Sequence, residues 1–507
     1  MPNTKSHWLD QPVPRFEQPS SNLRVDVAVI GAGITGVTTA YLLKKAGYTV
    51  ALVERGACGG FDSANTTAHL TYVTDTRLSQ LVSKLGKVVA QSVWTGGAAA
   101  IDQIEAIVRA EKIECEFRRV PGYLHCSPKQ NVKKEAAALE QESQLANELG
   151  FPAVFSKSVP FFGRPGVELP DQAKFHPIKY LGALLKKIPG HGSHVFDHTD
   201  AGEITAKPLA VKVGKEKIRC SYLVLATHNP LMGNTGTVAA ALFQTKLFLY
   251  TSYAVGALVP RGSIPEACYW DTQEPYHYLR VDQRRNHDYV IFGGEDHKTG
   301  QVKDTGRNYD RLEKTLLSLM PEAEVDRRWS GQVIETPDGI PFIGETADRQ
   351  FVATGFGGNG MTFGTLGAMM SVDAFLKRQN PWAKLFDVHR KHAIVGTGKY
   401  LRENRDYPVY MVKNWLHKAE RTTLASLKRN EGKVIKYEGH KVAAFRNAHG
   451  TISVHSAICT HLQCIVEWNQ AEKTWDCPCH GSRFAATGEV LSGPAEEPLA
   501  PLKASDK

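Results

Sequence analysis

Apolar positions near the N-terminus change period within a short span. VDVAVIGAGITGVTTAYLLKKAGYTVALVER opens with β-branched residues, crosses three spaced glycines, and continues as an apolar helical run to Lys45. Gly47 stops that run and TVALVE follows, so the predicted order is strand, tight turn, helix, strand. A second apolar run, LFQTKLFLYTSYAVGALV, carries Lys246 inside it, where a bilayer would penalise the charge, and predicts a buried strand. VATGFGGNGMTFGTLGAMM predicts a strand, a glycine-rich turn and a small-residue helix. Beyond Leu427, short strand patterns punctuated by glycine turns predict a small antiparallel domain.

At 507 residues and 42% hydrophobic content the chain predicts two or three domains with sizeable cores. The net charge of +9 is dispersed, apart from HRKHAIVGTGKYLRENR (His389 to Arg405), which reads as a solvated linker or a docking patch for an acidic protein or anionic ligand. No helix-turn-helix, zinc-finger array or aromatic-basic signature is present, which argues against a nucleic-acid partner. The leader MPNTKSHWLDQPVPRFEQPSS is polar and lacks the apolar core of a secretory signal, so a cytoplasmic, non-transmembrane protein is expected.

The three glycines have separate tasks. Gly31 makes the turn, Gly33 lets backbone approach a pyrophosphate, and Gly36 lets the helix pack on the sheet, while the helix N-terminus faces the phosphates. Glu54 ends the second strand, where a carboxylate accepts hydrogen bonds from a ribose diol and disfavours a 2′-phosphate. Gly355, Gly357 and Gly360 repeat the spacing, but no second strand ending in an acid follows. That cluster reads as a tight turn, or as a helix N-terminus aimed at the carbonyl edge of a flavin.

With LVLATHNP, TPDGIPFIGE and ATGFGGNGMTFG, residues 24 to 390 resemble the D-amino-acid oxidase superfamily of FAD enzymes. The resemblance implies an α/β (α+β) FAD-binding Rossmann-like domain with an interleaved, mixed or antiparallel substrate lobe. It implies FAD contacts from Gly31, Gly33, Gly36, Glu54, Thr66 and Thr67, and from Gly355, Gly357, Gly358, Asn359, Gly360 and Met361. Some relatives attach FAD covalently through a histidine or cysteine; His69 lies off that motif and reads as packed or hydrogen-bonded. Amino-acid-oxidising relatives often carry an arginine shortly after Trp-x-Gly, where this chain has Gln332, which puts the usual carboxylate clamp in doubt. In YWDTQEPYHYLR the aromatics alternate along one expected strand of the substrate lobe. Tyr278 and Arg280 are the substrate-side candidates there, although a half-buried aromatic strand accounts for the same pattern.

Four of the nine cysteines crowd into CTHLQC and CPCHGS together with two histidines. Cys459 and His461, then Cys477 and His480, could in principle hold zinc, but zinc-finger ligands are usually spaced more widely and their histidines pair together. A Rieske [2Fe-2S] centre instead takes one cysteine and one histidine from each loop. With GTISVHSAICTHLQCIVEWN and WDCPCHGSRFAATGEVLSGPAEEPL, residues 427 to 502 resemble the Rieske family. The resemblance implies a small all-β domain, those four ligands, a Cys464–Cys479 disulfide across the loops, and a Ser482 hydroxyl donated to the cluster. Phe484 stands where respiratory members carry a tyrosine, which predicts a lower potential. The other five cysteines are expected to be reduced and many of them buried.

The expected organisation is a polar leader (1–23), the FAD-dependent oxidoreductase (24–390), a partly helical linker (391–426) containing YMVKNWLHKAERTTLASL, and the Rieske domain (427–507). The expected function is oxidation of a small amine, amino-acid derivative or related molecule by hydride transfer to FAD. Electrons would then pass singly through the cluster to an external acceptor, a protein or quinone. The alternatives are a reductase fed by NAD(P)H, weakened by the missing second nucleotide motif, and an electron-transfer or redox-sensing protein without an organic substrate.

Overall fold

The computed structural model describes residues 3–230, 244–390, 397–405, 410 and 423–502. Strand β1 (Leu23–Ile30) lies at the centre of an eight-stranded sheet, parallel to Glu216–Leu225 on one side and to β2 (Val50–Val53) on the other. Val27, Ala28 and Val29 are wholly buried, as a parallel strand covered on both faces requires. Helix α1 (Ile34–Lys45) crosses between β1 and β2 and packs against the long helix Gly360–Phe375, with Thr39 hydrogen-bonded to Ser371 at 3.2 Å. Glycines make this contact close: a methyl group on Gly364 would lie 2.8 Å from Ile34 and Thr35 side-chain atoms.

The substrate lobe is a nine-stranded, mostly antiparallel sheet whose path begins with Glu324–Glu335, Phe248–Val259, Asp288–Lys298, Tyr278–Asp282 and Cys268–Asp271. The second apolar run forms the buried strand Phe248–Val259, with Lys246 in a turn before it and residues 242–243 outside the described residues; among the described residues no helix is long and apolar enough to cross a membrane. YWDTQEPYHYLR is not one strand. It forms two, Cys268–Asp271 and Tyr278–Asp282, paired antiparallel, because TQEP supplies turn residues between them.

A three-stranded sheet (Glu431–Tyr437, His440–Arg446, Ile452–Ser456) and a four-stranded one (Glu467–Asn469 to Val490–Ser492) form the small C-terminal all-β domain. It is seated on the substrate lobe. Thr305 donates to Asn469 at 2.6 Å, Tyr309 to Glu472 at 3.2 Å, and Gln301 to the Pro478 carbonyl at 3.1 Å. Gly300, at φ +77°, lets the Cys477–Pro478 backbone approach so closely that a Cβ would lie 2.7 Å from it. In the expected linker, helix Thr397–Asn404 packs on the sheet through Glu403, which accepts from Tyr250 at 2.9 Å. Most of YMVKNWLHKAERTTLASL lies outside the described residues.

The polar leader is anchored by a buried side chain. Trp8 is 1% exposed, and residues His7–Asp10 form a short 3-10 turn against the large N-terminal body.

Candidate active site and candidate metal centre

A cavity of about 540 Å³ opens where the two large sheets meet. Gly31, Gly33, Glu54, Thr66 and Thr67 line one part of it, and Gly357, Gly358, Asn359, Gly360, Met361 and Tyr278 another. Gly36 and Gly355 shape it from behind. A Cβ on Gly36 would lie 1.8 Å from the Gly31 carbonyl oxygen, and one on Gly355, at φ +74°, 2.4 Å from Thr336. Gly31, at φ +97°, likewise has no room for a side chain, with the Ala226 carbonyl oxygen at 2.4 Å. The Glu54 carboxylate accepts from the backbone N–H groups of Ala32 and Gly56, each at 2.8 Å, which fixes the turn that precedes α1.

The glycine-lined end suits a phosphate-bearing ligand: Gly31 and Gly33 present backbone beside the α1 N-terminus, where Ser63 Oγ accepts from the Ile34 N–H at 3.0 Å. Asn229 adds a hydrogen-bond acceptor: it is 5% exposed, lines the cavity, and its Oδ1 has no partner within the protein. At the other end Asp75 accepts from the Gly358 N–H at 2.7 Å and from Tyr276 at 2.8 Å, and Asn359 donates to the carbonyls of Thr71 and Val73. These bonds hold the start of helix Gly360–Phe375 in the cavity wall.

Loop 61–69 is clamped through five consecutive carbonyls. Ser6 donates to Ala64 O at 2.5 Å, Trp329 to Asn65 O at 3.0 Å, and Trp8 to Thr66 O at 2.6 Å. Arg280 donates to Thr67 O at 3.2 Å and to Ala68 O at 2.8 Å. Arg280 is 1% exposed, pairs with Asp282 at 3.0 Å, stacks on Trp8, and does not line the cavity. Tyr278 and Arg280 share a strand face, but the loop covers the arginine and leaves the tyrosine at the cavity. Sequence reasoning gave Arg280 a substrate-side place and missed Ser6 and Trp8; the buried Trp in an otherwise polar leader was the available signal.

The substrate-lobe wall is acidic. Asp75, Glu274 and Asp296 line it, while both arginines that line the cavity are ion-paired, Arg77 with Glu135 and, at the Glu54 end, Arg55 with Asp200. Burial, with the nearby Asp75 and Glu335 carboxylates, pushes the Asp296 carboxyl up to about 7, and its Oδ1 has no partner within the protein. Tyr278 exchanges a hydrogen bond with Ser252 at 2.8 Å, and burial pushes its phenol well above the usual range, so it stays neutral. His69 is bonded to Thr67 at 3.1 Å and stands edge-on to Tyr278, and burial holds it down at about 4. A His228–Asp62 pair at 2.8 Å also lines the cavity. Burial opposes the charge on His228, but Asp62 outweighs it and leaves the imidazole above its ordinary value.

Gln332 stands on the wall strand Glu324–Glu335 and is 5% exposed. Its amide donates to Gly481 O at 2.7 Å and to Thr299 at 3.3 Å, and its carbonyl accepts from Ser492 at 2.5 Å. Ser492 and its neighbours up to Glu496 line the cavity too, so the small domain forms part of the wall.

The two cysteine loops meet as the sequence predicts. Cys459 and Cys477 are buried with their thiols hydrogen-bonded, which holds the Cys459 thiol down at about 7 and raises that of Cys477. The His461 and His480 rings lie 4.9 Å apart at 90°, and burial keeps both neutral, at about 4 and about 3. Paired sulfurs beside paired neutral imidazoles form the donor set of a binuclear iron–sulfur site. A Cys464–Cys479 disulfide ties the loops together. Ser482 is wholly buried; its hydroxyl bonds the Cys459 sulfur and accepts from the Ala495 N–H at 3.0 Å. His461 Nε2 is 2.9 Å from Gln244 of the oxidoreductase body.

Known proteins match along the same division. Residues 26–374 fit the family model of the FAD dependent oxidoreductases, and residues 417–503 that of the Rieske [2Fe-2S] domain. YhfW of Bacillus subtilis (strain 168), which carries the name of a Rieske 2Fe-2S iron-sulfur protein, is 33% identical over 98% of this chain and 97% of its own. Among solved structures, glycine oxidase from Geobacillus kaustophilus is similar with a TM-score of 0.61 at 16% identity, over 73% of this chain and 99% of its own. L-proline dehydrogenase from P. horikoshii gives 0.59 at 17%, over 73% and 98%. The chain therefore belongs to the FAD dependent oxidoreductase family, binds FAD, and carries at its C-terminal end a Rieske domain that binds a [2Fe-2S] cluster.

Proposed function

We propose that this protein oxidises a small amine at a C–H bond next to nitrogen and passes the electrons singly through its cluster to an external acceptor. The observation that carries the reading is the shared wall: the domain holding the cluster ligands is seated on the same strands that line the flavin cavity. Bound FAD supplies a two-electron hydride acceptor, and the cluster a one-electron carrier. The C–H bond breaks as a C=N bond forms, the nitrogen proton leaves to a base, and two one-electron acceptors are reduced per turnover.

The chain's own residues support an amine over a free amino acid. Gln332 is committed to the small domain, and the arginines that line the cavity are paired, so the described cavity residues offer no uncommitted guanidinium for a carboxylate. Asp75, Glu274 and Asp296 suit a cation instead. Asp296, poised at about 7, is the group best placed to take a proton from a substrate ammonium before hydride transfer. Tyr278 and Ser252 would orient the nitrogen through their shared hydroxyl pair. The names of the glycine oxidase and L-proline dehydrogenase neighbours agree with oxidation beside nitrogen.

Anaerobic mixing of the holoprotein with a panel of amines, hydroxy acids and amino acids tests the reading. An amine is expected to bleach flavin absorbance first and the cluster afterwards. Reduction by NADH, or only by a protein donor, would replace this reading with the reductase or electron-transfer alternative.

A further inference from the structure

We infer that Gln332 is a positioning residue that locks the cluster loop onto the flavin cavity and so sets the rate of internal electron exchange. The inference rests on the flavin-to-cluster relay proposed above and adds the residue that fixes its geometry. A single buried amide satisfies three groups from two domains: it donates to Gly481 O and to Thr299, and accepts from Ser492. Gly481 directly follows the cluster ligand His480, and Ser492 stands on the last strand of the small domain, at the cavity wall. The amide thus joins the wall to a cluster loop with no intervening side chain.

The setting around it is equally tight. Gly481, at φ +75°, packs so closely on Leu249 that a Cβ would lie 2.6 Å from it. The Gln332 backbone N–H donates to Asp62 at 3.3 Å, which ties the same residue to the loop that lines the cavity. Loss of the amide leaves the Gly481 carbonyl and the Ser492 hydroxyl without these bonds in a buried seam, which favours separation of the seam.

The test uses full-length holoprotein and needs no substrate. Photoexcited deazaflavin, with EDTA as electron source, delivers one electron per molecule, and the redistribution between flavin and cluster absorbance is followed in time. In Gln332→Leu, flavin and iron contents are expected to match wild type while exchange slows by about 10-fold or more, since small misplacements between reacting groups carry penalties of this size. In a sample given two electrons per molecule, magnetic coupling between the flavin semiquinone and the reduced cluster in electron paramagnetic resonance should weaken in parallel. Gln332→Glu keeps the acceptor for Ser492 but loses the donor to Gly481. Exchange should therefore be slow at high pH and recover as pH falls and the introduced carboxyl, beside Asp62, takes a proton; a merely space-filling role predicts no such recovery. Unchanged exchange and coupling in Gln332→Leu would overturn the inference. Should that variant not load its cofactors, Ser492→Ala decides, and a rate within about twofold of wild type overturns it. Absence of exchange in wild type would instead sink the relay, while the magnetic coupling would still report on docking.

Discussion

Replacing Arg280 by methionine separates two roles for this residue, substrate contact and support of the flavin loop. Its guanidinium makes one hydrogen bond to Asp282 and one each to the carbonyls of Thr67 and Ala68. Hydrogen bonds from a charged donor contribute about 1.5–3 kcal/mol each, and breaking a buried ion pair costs about 3–5 kcal/mol. Asp282 retains Lys174 at 2.6 Å, so the pair is weakened rather than orphaned, and a net loss of about 3–5 kcal/mol is expected. Much of this falls on loop 61–69, which also loses the stacking of Arg280 on Trp8. FAD must then order the loop itself, and because 1.4 kcal/mol is a factor of ten, its affinity should fall by about 10- to 1000-fold. Fluorescence titration of apoprotein with FAD and denaturant unfolding of apoprotein measure the two quantities, with the cluster spectrum as an internal control. A variant that keeps full stability and FAD affinity but loses flavin reduction by substrate would refute this account and return Arg280 to the substrate side.

Other outcomes follow from the same geometry. Cys459→Ser or His461→Ala should abolish bound iron and sulfide while flavin content stays near wild type, measured by iron assay and flavin absorbance. Phe484→Tyr places a hydroxyl in the buried core beside the cluster loops; one added hydrogen bond to the reduced state should raise the midpoint potential by on the order of 50 mV in redox titration, and no upward shift would count against it. Because Asp296 lies above its unfolded value, it opposes folding increasingly as pH rises from about 4 to about 7. Asp296→Asn should therefore be the more stable protein at pH 8, by up to about 4 kcal/mol in denaturant unfolding, with little difference at pH 4. Wild type is expected to reduce its flavin faster as pH rises past about 7, and the same variant should flatten that rise.

Where a function resides in a short contiguous stretch, its physics was readable in the chain. GAGITG and Glu54 encode a turn, a close approach and a helix start within one strand–helix–strand unit, and the cluster ligands and disulfide cysteines sit within two six-residue loops. The strand face shared by Tyr278 and Arg280 also follows from a period of two. What period cannot state is which element covers each end of that face, and here loop 61–69 and Trp8, far away in sequence, cover the arginine. The use of Gln332 was equally hidden. Its departure from the family arginine was visible, but its partner Gly481 lies 149 residues away in another domain. The role of the leader was hidden for a related reason: Ser6 and Trp8 donate to loop carbonyls 58 residues away in sequence.

Two-wavelength stopped-flow under anaerobic conditions tests the central claim most directly. When an amine substrate is mixed with fully oxidised holoprotein, flavin bleaching should precede cluster reduction, and the cluster should acquire the electron paramagnetic resonance signal of a reduced binuclear centre within the same turnover. A flavin that is reduced and reoxidised while the cluster stays oxidised throughout would contradict it.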